Sequence, residues 1–187
     1  MKRDDLLSDL RSHAPANAEE VAHLASLIEF VARTGDPFSR GNLALGAGGH
    51  LTGSALLLSP DGLSFALIWH EKLGRWLQPG GHCEPETDAD LAETARRELI
   101  EETELPGESL TLLSSAPFDV DVHTIPARPD GSEPEHFHYD VRYLFKLTGP
   151  RDFPEGVKAR WVSLGDAQSL PDASLVRMAW KAARRLV

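Results

Sequence analysis

The segment Leu77-Gln78-Pro79-Gly80-Gly81-His82-Cys83-Glu84-Pro85-Glu86-Thr87-Asp88-Ala89-Asp90-Leu91-Ala92-Glu93-Thr94-Ala95-Arg96-Arg97-Glu98-Leu99-Ile100-Glu101-Glu102-Thr103-Glu104-Leu105 decides the fold. Its second half reads as a helix. Apolar Leu91, Ala92, Ala95 and Leu99 recur at helical spacing, and Thr87, Asp88 and Asp90 offer N-cap or first-turn acids. In that helix Glu98 and Glu102 stand one turn apart, with Glu101 beside them. Like charges so spaced destabilise a helix by ~0.2–0.5 kcal/mol per pair. The ridge therefore asks for a cation, and oxygen-only ligands suit a hard ion such as magnesium, calcium or manganese.

Ahead of the helix, Trp76-Leu77 reads as a strand end and Pro79-Gly80-Gly81 as a tight turn whose missing side chains let backbone approach a ligand. Strand, glycine loop and acidic helix follow in order. A single glutamate on a helix is normally a solvent-facing charge; three behind a Gly-Gly pair are not so easily dismissed.

Gly81, Arg97-Glu98-Leu99 and Glu101-Glu102-Thr103 followed by Leu105 resemble the Nudix box, the loop-helix signature of Nudix hydrolases. The interval from Gly81 to Arg97 is two residues longer than in the usual box, so the mid-box acid is either Glu86 or Asp88. Glu104 stands where the family usually has glycine. The resemblance spans about Gly49 to Leu170 and implies an α/β/α sandwich with a mixed sheet, the box helix against it. It also implies a magnesium- or manganese-dependent pyrophosphohydrolase acting on a nucleoside diphosphate linked to another moiety. By the same resemblance Glu98, Glu101, Glu102 and the Gly81 carbonyl would hold the ion, one glutamate would serve as base, and Arg97 would orient the carboxylates by pairing with Glu101 or Glu93. The alternative is a Nudix-type module that senses a nucleotide without cleaving it; the three glutamates favour the enzyme.

The 187 residues carry a formal net charge of −10, with 41% hydrophobic and 26% charged residues, as expected of a globular chain. The length suits one Nudix domain, 41–187, behind an N-terminal helical extension, 1–40. Such an acidic chain is not expected to bind nucleic acid stably, because phosphates demand Lys and Arg. A bound cation would still admit a small phosphorylated substrate. The single cysteine, Cys83, fits a reducing compartment, and no run reaches a membrane-spanning length, so a cytoplasmic location is expected.

Outside the box, Ala18 to Arg33 is predicted helical from Val21, Leu24, Leu27, Ile28 and Val31, ended by Gly35-Asp36-Pro37 and followed by a Gly-rich connector through Gly49. This helix either packs on the domain or makes a homodimer contact. Leu51–Leu58 and Leu63–Trp69 are predicted as a hairpin around Ser59-Pro60-Asp61-Gly62. Further strands are expected over Ser115–Ile125, His136–Leu147 and Val157–Leu164, with a closing helix over Asp172–Leu186.

Lys72 and Arg75, just before the glycine loop, are candidates for substrate phosphates. His82 and Glu84 lie in the loop itself, His82 as a substrate candidate and Glu84 matching a family acid. Cys83 has no nucleophile context, and an isopentenyl diphosphate isomerase would need a cysteine opposite an acid. Glu155 sits where related chains often carry an acid. In His136-Phe137-His138-Tyr139-Asp140, His136, His138 and Asp140 share one face of an extended chain. Either this is an edge strand with its histidines in water, or the face looks into the phosphate site, where the histidines bind phosphate or Glu133 and Glu135 complete a metal shell. Imidazole ligation would tilt preference from magnesium towards manganese or another transition ion.

Overall fold

The computed structural model describes residues 2–43 and 48–185. Part of the glycine-rich connector, and Leu186 of the expected closing helix, lie outside the described residues. The elements in chain order are α1 (Arg3–Ser12), α2 (Ala18–Arg33), β1 (Gly49–Leu58), β2 (Ser64–His70), β3 (Arg75–Leu77), β4 (Gly80–His82), α3 (Leu91–Thr103), β5 (Leu110–Leu112), β6 (Asp119–Ile125), β7 (His136–Leu147), β8 (Ala159–Ser163) and α4 (Ala173–Arg185). The strands form one mixed sheet around a parallel β1/β7 pair, which runs in register from Gly49 opposite Phe137 to Leu58 opposite Lys146.

Alternation along β1 explains the layers. Leu51, Ala55 and Leu57 face a cluster that includes Leu91, Ala95 and Leu99 of α3, Leu27, Phe30 and Val31 of α2, and Leu6, Leu7 and Leu10 of α1. Leu56 and Leu58 face the opposite side, where Leu175, Met178, Ala179 and Ala182 of α4 cover them. The result is an α/β/α sandwich. Gly53 lets α3 lie against β1, since a Cβ there would meet the Leu91 carbonyl and Thr94.

The N-terminal helix packs on the domain: Phe30 stacks on Tyr139 of β7 with ring centroids 4.0 Å apart. Val21, counted in its apolar stripe, is instead exposed, because the buried face passes through Leu27 and Val31 a few turns on. The region preceding it forms α1, and Leu110–Leu112 forms β5. Neither was anticipated, their apolar runs being too short to show a period.

Other strand ends shift by no more than one or two residues, and two differences are larger. The strand expected from Ser115 begins at Asp119. More consequentially, Gly80-Gly81 is no turn but the start of β4, paired antiparallel with β1 so that Gly81 opposes Gly53. Its glycines answer crowding rather than backbone curvature: a Cβ on Gly80 would strike Ser54, and one on Gly81 would strike the Glu98 carboxylate.

The exit of α3 is the one place among the described residues where a side chain occupies left-handed backbone. Glu104, at φ 53° and ψ 20°, caps the helix with its N–H on the Ile100 carbonyl. Glycine adopts this conformation without the Cβ clash that costs other residues roughly 1–2 kcal/mol. Glu104→Gly is expected to raise stability by about 1 kcal/mol, read as a higher denaturation midpoint; an unchanged or lower midpoint would show that the left-handed turn is unstrained.

Candidate active site

Three strands lay polar residues side by side on the sheet face opposite α3. Register sets Thr52 of β1 opposite Asp140 of β7 and Asp121 of β6, with Ser54, Arg142 and Asp119 forming the next rank and His50, His138 and His123 the one before. Each strand repeats with period two, so His50, Thr52 and Ser54 leave β1 on the same side. At this floor's centre Arg142 is almost wholly buried and donates to Asp140 at 2.7 Å, Asp121 at 3.0 Å and Asp119 at 3.1 Å. Thr52 and Ser54 hydroxyls donate to Asp140 as well. Arg177 from α4 binds Asp119 and Asp121 from the other side, while Lys181 joins Asp119 to Glu20 of α2. Burial would raise the Asp121 carboxyl, but Arg142, His123 and Arg177 outweigh it and hold the group well below the usual carboxylate range.

The floor opens into a cleft of about 500 Å³ lined by Thr52, Ser54, Gly80, Gly81, His82, Glu98, Glu102, His138, Asp140 and Arg75 among others. A cavity of similar size, about 510 Å³, lies beside Val176 and Trp180 of α4, but its lining contains neither an acid nor a histidine.

One wall is the acidic ridge. The Gly80 N–H donates to Glu102 at 2.9 Å, and the Glu98 carboxylate sits in the space a side chain on Gly81 would need. Arg97 is the ridge's internal strut. Its guanidinium donates to Asp88 through both Nε and Nη2 (3.0 and 3.1 Å), to the His82 carbonyl at 2.8 Å, to Glu98 at 2.9 Å and to Glu101 at 3.4 Å. Asp88, not Glu86, is therefore the acid that anchors the arginine. It also accepts from the Glu84 N–H and the Thr94 hydroxyl, while Asp90 takes the N-cap position on Glu93. Of the two partners expected for Arg97, Glu101 is correct; Glu93 faces Arg96 instead.

Burial pushes the Glu102 carboxyl up to about 7, and the neighbouring Glu98 and Glu101 charges add to this. Burial raises Glu98 too, although Arg97 pulls it back. Glu101 stands half-exposed on the rim and does not line the cleft. Carboxylates so destabilised as anions, converging with backbone where no Cβ can intrude, fit a hard divalent cation, whose charge would relieve the crowding.

Other sequence candidates separate clearly. Arg75 lines the cleft, 4.0 Å from Asp172; Lys72 is exposed and outside the lining. His82 and His138 line the cleft, with His136 buried behind them. β7 is no edge strand, being paired on both sides, so the histidines do not stand in open water. Glu133 is held between Arg40 and Arg128, and Glu135 is exposed, so neither completes a metal shell. Glu84 and Glu155 are exposed and absent from the cleft lining. Burial pushes the Cys83 thiol up to about 12 as it points at the Leu51 carbonyl, which rules out a nucleophile. Sequence reasoning missed His50, Gln78, His123 and Arg142; period-two alternation through His50-Thr52-Ser54 and Asp140-Arg142 was the available signal.

A model of the NUDIX domain family matches residues 50–184. The chain belongs to the Nudix family. Among solved structures this Nudix hydrolase is similar to C. elegans Ap4A hydrolase, with TM-score 0.56 and 22% identity over 73% of this chain and 98% of that one. It also resembles the E. coli dihydroneopterin triphosphate pyrophosphohydrolase, with TM-score 0.53 and 15% identity over 72% and 95% of the two chains. A NUDIX-family hydrolase from Clostridium perfringens superposes with TM-score 0.50 at 20% identity over 73% and 97%. These likenesses define a shared fold. No curated protein matches the chain in sequence.

A carboxyl whose folded-state pKa lies above its unfolded value binds its proton more tightly when folded, so its ionisation removes stability as pH rises from about 4.5 to about 7. Metal-free Glu102→Gln is thus expected to be more stable than wild type at pH 8, by up to about 3 kcal/mol, with the gap closing towards pH 4.5. Thermal melts in chelator across that range check it; a pH-independent gap would mean that Glu102 is not the strained group.

Proposed function

We propose that this chain is a divalent-cation-dependent pyrophosphohydrolase whose substrate is a nucleoside diphosphate linked to another moiety. The observation carrying this reading is the convergence of Glu98 and Glu102 with the Gly80-Gly81 strand at the wall of a polar cleft. Glu98, Glu101, Glu102 and the Gly81 carbonyl would hold magnesium or manganese. The ion, when bound, would neutralise phosphate charge and polarise a phosphoryl oxygen.

The chain's own groups divide the remaining work. Arg97, clamped by Asp88 and the His82 carbonyl, fixes Glu98 and reaches Glu101, so the carboxylates keep their positions when a ligand enters. Glu102 is the carboxylate best suited to take a proton from the attacking water, being buried and held above its usual range. Arg75 at the mouth supplies a cation for a distal phosphate, with Lys72 beside it in sequence. Burial keeps His82 near 4 and His138 near 2, so both are neutral and can donate a hydrogen bond to a phosphate oxygen. Two fold neighbours, an Ap4A hydrolase and a dihydroneopterin triphosphate pyrophosphohydrolase, agree with cleavage of a phosphoanhydride, and the first with a nucleotide derivative as substrate.

Nucleoside diphosphate derivatives are screened with magnesium or manganese, and phosphate-containing products identified. Glu101→Gln and Glu102→Gln are expected to remain folded while turnover falls on the order of 10²-fold or more. Full turnover by both variants, or by metal-stripped wild type, would sink the assignment. Gly81→Val should likewise lose turnover by displacing Glu98; normal kinetics in the folded variant would refute the claimed contact.

A further inference from the structure

Beside the acidic wall lies a second cluster, chemically unlike it. His50 of β1, His136 and His138 of β7 each offer a ring nitrogen, and these nitrogens all lie within 4.8 Å of one another. The ring centroids are 4.8 Å apart for His50 and His138, 5.2 Å for His50 and His136, and 5.3 Å for His136 and His138. The register that aligns β1 with β7 creates the group, setting His50 directly opposite His138.

His50 is the telling member. Its side chain is 1% exposed, yet neither ring nitrogen has a hydrogen-bond partner among the described residues. An imidazole must carry at least one donor or acceptor that water would otherwise satisfy, and leaving a buried polar group unpaired costs about 1–3 kcal/mol. A ligand at the cluster removes that cost. His136 shows a complementary feature: its Nδ1 lies 2.8 Å from the Pro134 carbonyl. Donation there fixes the proton on Nδ1 and leaves Nε2 as a lone pair, the arrangement that orients metal-binding histidines through a backbone carbonyl.

We propose that His50, His136 and His138 form a transition-metal site of the zinc class, separate from the hard-cation site on the glutamates, with one coordination position open to the cleft. Three imidazoles with a free fourth position make a catalytic-type rather than a closed structural site, and nitrogen donors select zinc, cobalt or nickel over magnesium. The direction of the open position follows from placement. His138 lines the cleft with His82, whereas His50 and His136 do not. His82, its ring 4.9 Å from His50 and 5.1 Å from His138, stands beside that opening, where it would contact a ligand's anionic oxygen. Because His82 follows Gly81 on β4, one short strand serves both ions. The open position's role as an anion subsite rests on the proposed phosphoanhydride substrate; metal binding itself does not.

Untagged, chelator-stripped protein is titrated with Co²⁺ and Zn²⁺. One Co²⁺ per chain should bind with the visible absorption of a four-coordinate nitrogen site, be displaced by Zn²⁺, and resist excess Mg²⁺. His138→Gln and His136→Gln should each weaken binding beyond the about 10–100-fold typical for losing an outer-shell partner. His138 is only partly buried, so its variant keeps the test open should His136→Gln unfold. Glu102→Gln should retain Zn²⁺ binding even where it loses hydrolysis, which separates this site from the glutamate reading. Inorganic pyrophosphate should shift the Co²⁺ spectrum through the open position. Absence of stoichiometric binding in wild type, or binding indifferent to both histidine variants, would overturn the site even if hydrolysis is intact. A spectrum unmoved by pyrophosphate would overturn the open position.

Discussion

Arg142 is the charge on which the site-bearing half of the molecule depends. Three aspartates from two strands converge on one buried guanidinium, and removing one partner from such a buried cluster costs about 3–5 kcal/mol because it leaves charge uncompensated. The cation is not alone: Arg177 and Lys181 extend the network into α4, and Glu19 and Glu20 carry it on to α2. Burial would raise Glu20, but bonds from His13, Lys181 and the Ala16 N–H hold it well below the ordinary carboxylate range. Helices distant in sequence are thus fixed to the strands that floor the cleft. The helical N-terminal segment is tied to the domain by charge on one side and by the Phe30–Tyr139 stack on the other.

That network also divides one sheet face into two chemistries. Beyond Arg142 the residues turn apolar, Leu56, Leu58 and Leu144, and α4 covers them. Before it they are hydroxyls, acids and imidazoles, and the face stays open. The opposite face is apolar along the same strands, so polar and apolar residues alternate in β1 up to Ser54 and in β7 up to Arg142, and both strands become apolar on both faces beyond. Function occupies the half of a face that the core does not need.

How much of this could be read from the sequence depended on the range of the interaction. β7 was legible to its end residues because His136 to Leu147 is rich in aromatic and branched residues, and the acidic helix because its apolar period and acids agree. The mid-box acid was narrowed to Glu86 or Asp88 and no further, and the bond from Arg97 to Asp88 was not foreseen, since both depend on how the lengthened loop folds back. Gly80-Gly81 was misread as a turn because glycine pairs usually mark one; here the constraint is the nearness of Ser54 and Glu98, which local sequence does not contain. His50 escaped for a similar reason. It follows a run of glycines and gains meaning only from its register with His138, 88 positions away. Short elements such as β5 leave no period to find.

The lone thiol turns the architecture into an instrument. Cys83 is buried, protonated at any ordinary pH, and sits one residue beyond β4 against the Leu51 carbonyl. A thiol-specific reagent can reach it only through a local opening, such as the end of β4 lifting away from β1 or α3. Since β4 carries Gly81 and His82, the alkylation rate of the native protein becomes a clock for breathing at the wall of the cleft, with no label to introduce and no second cysteine to confuse it. Ligands that brace this strand would slow the clock in proportion to how firmly they hold it.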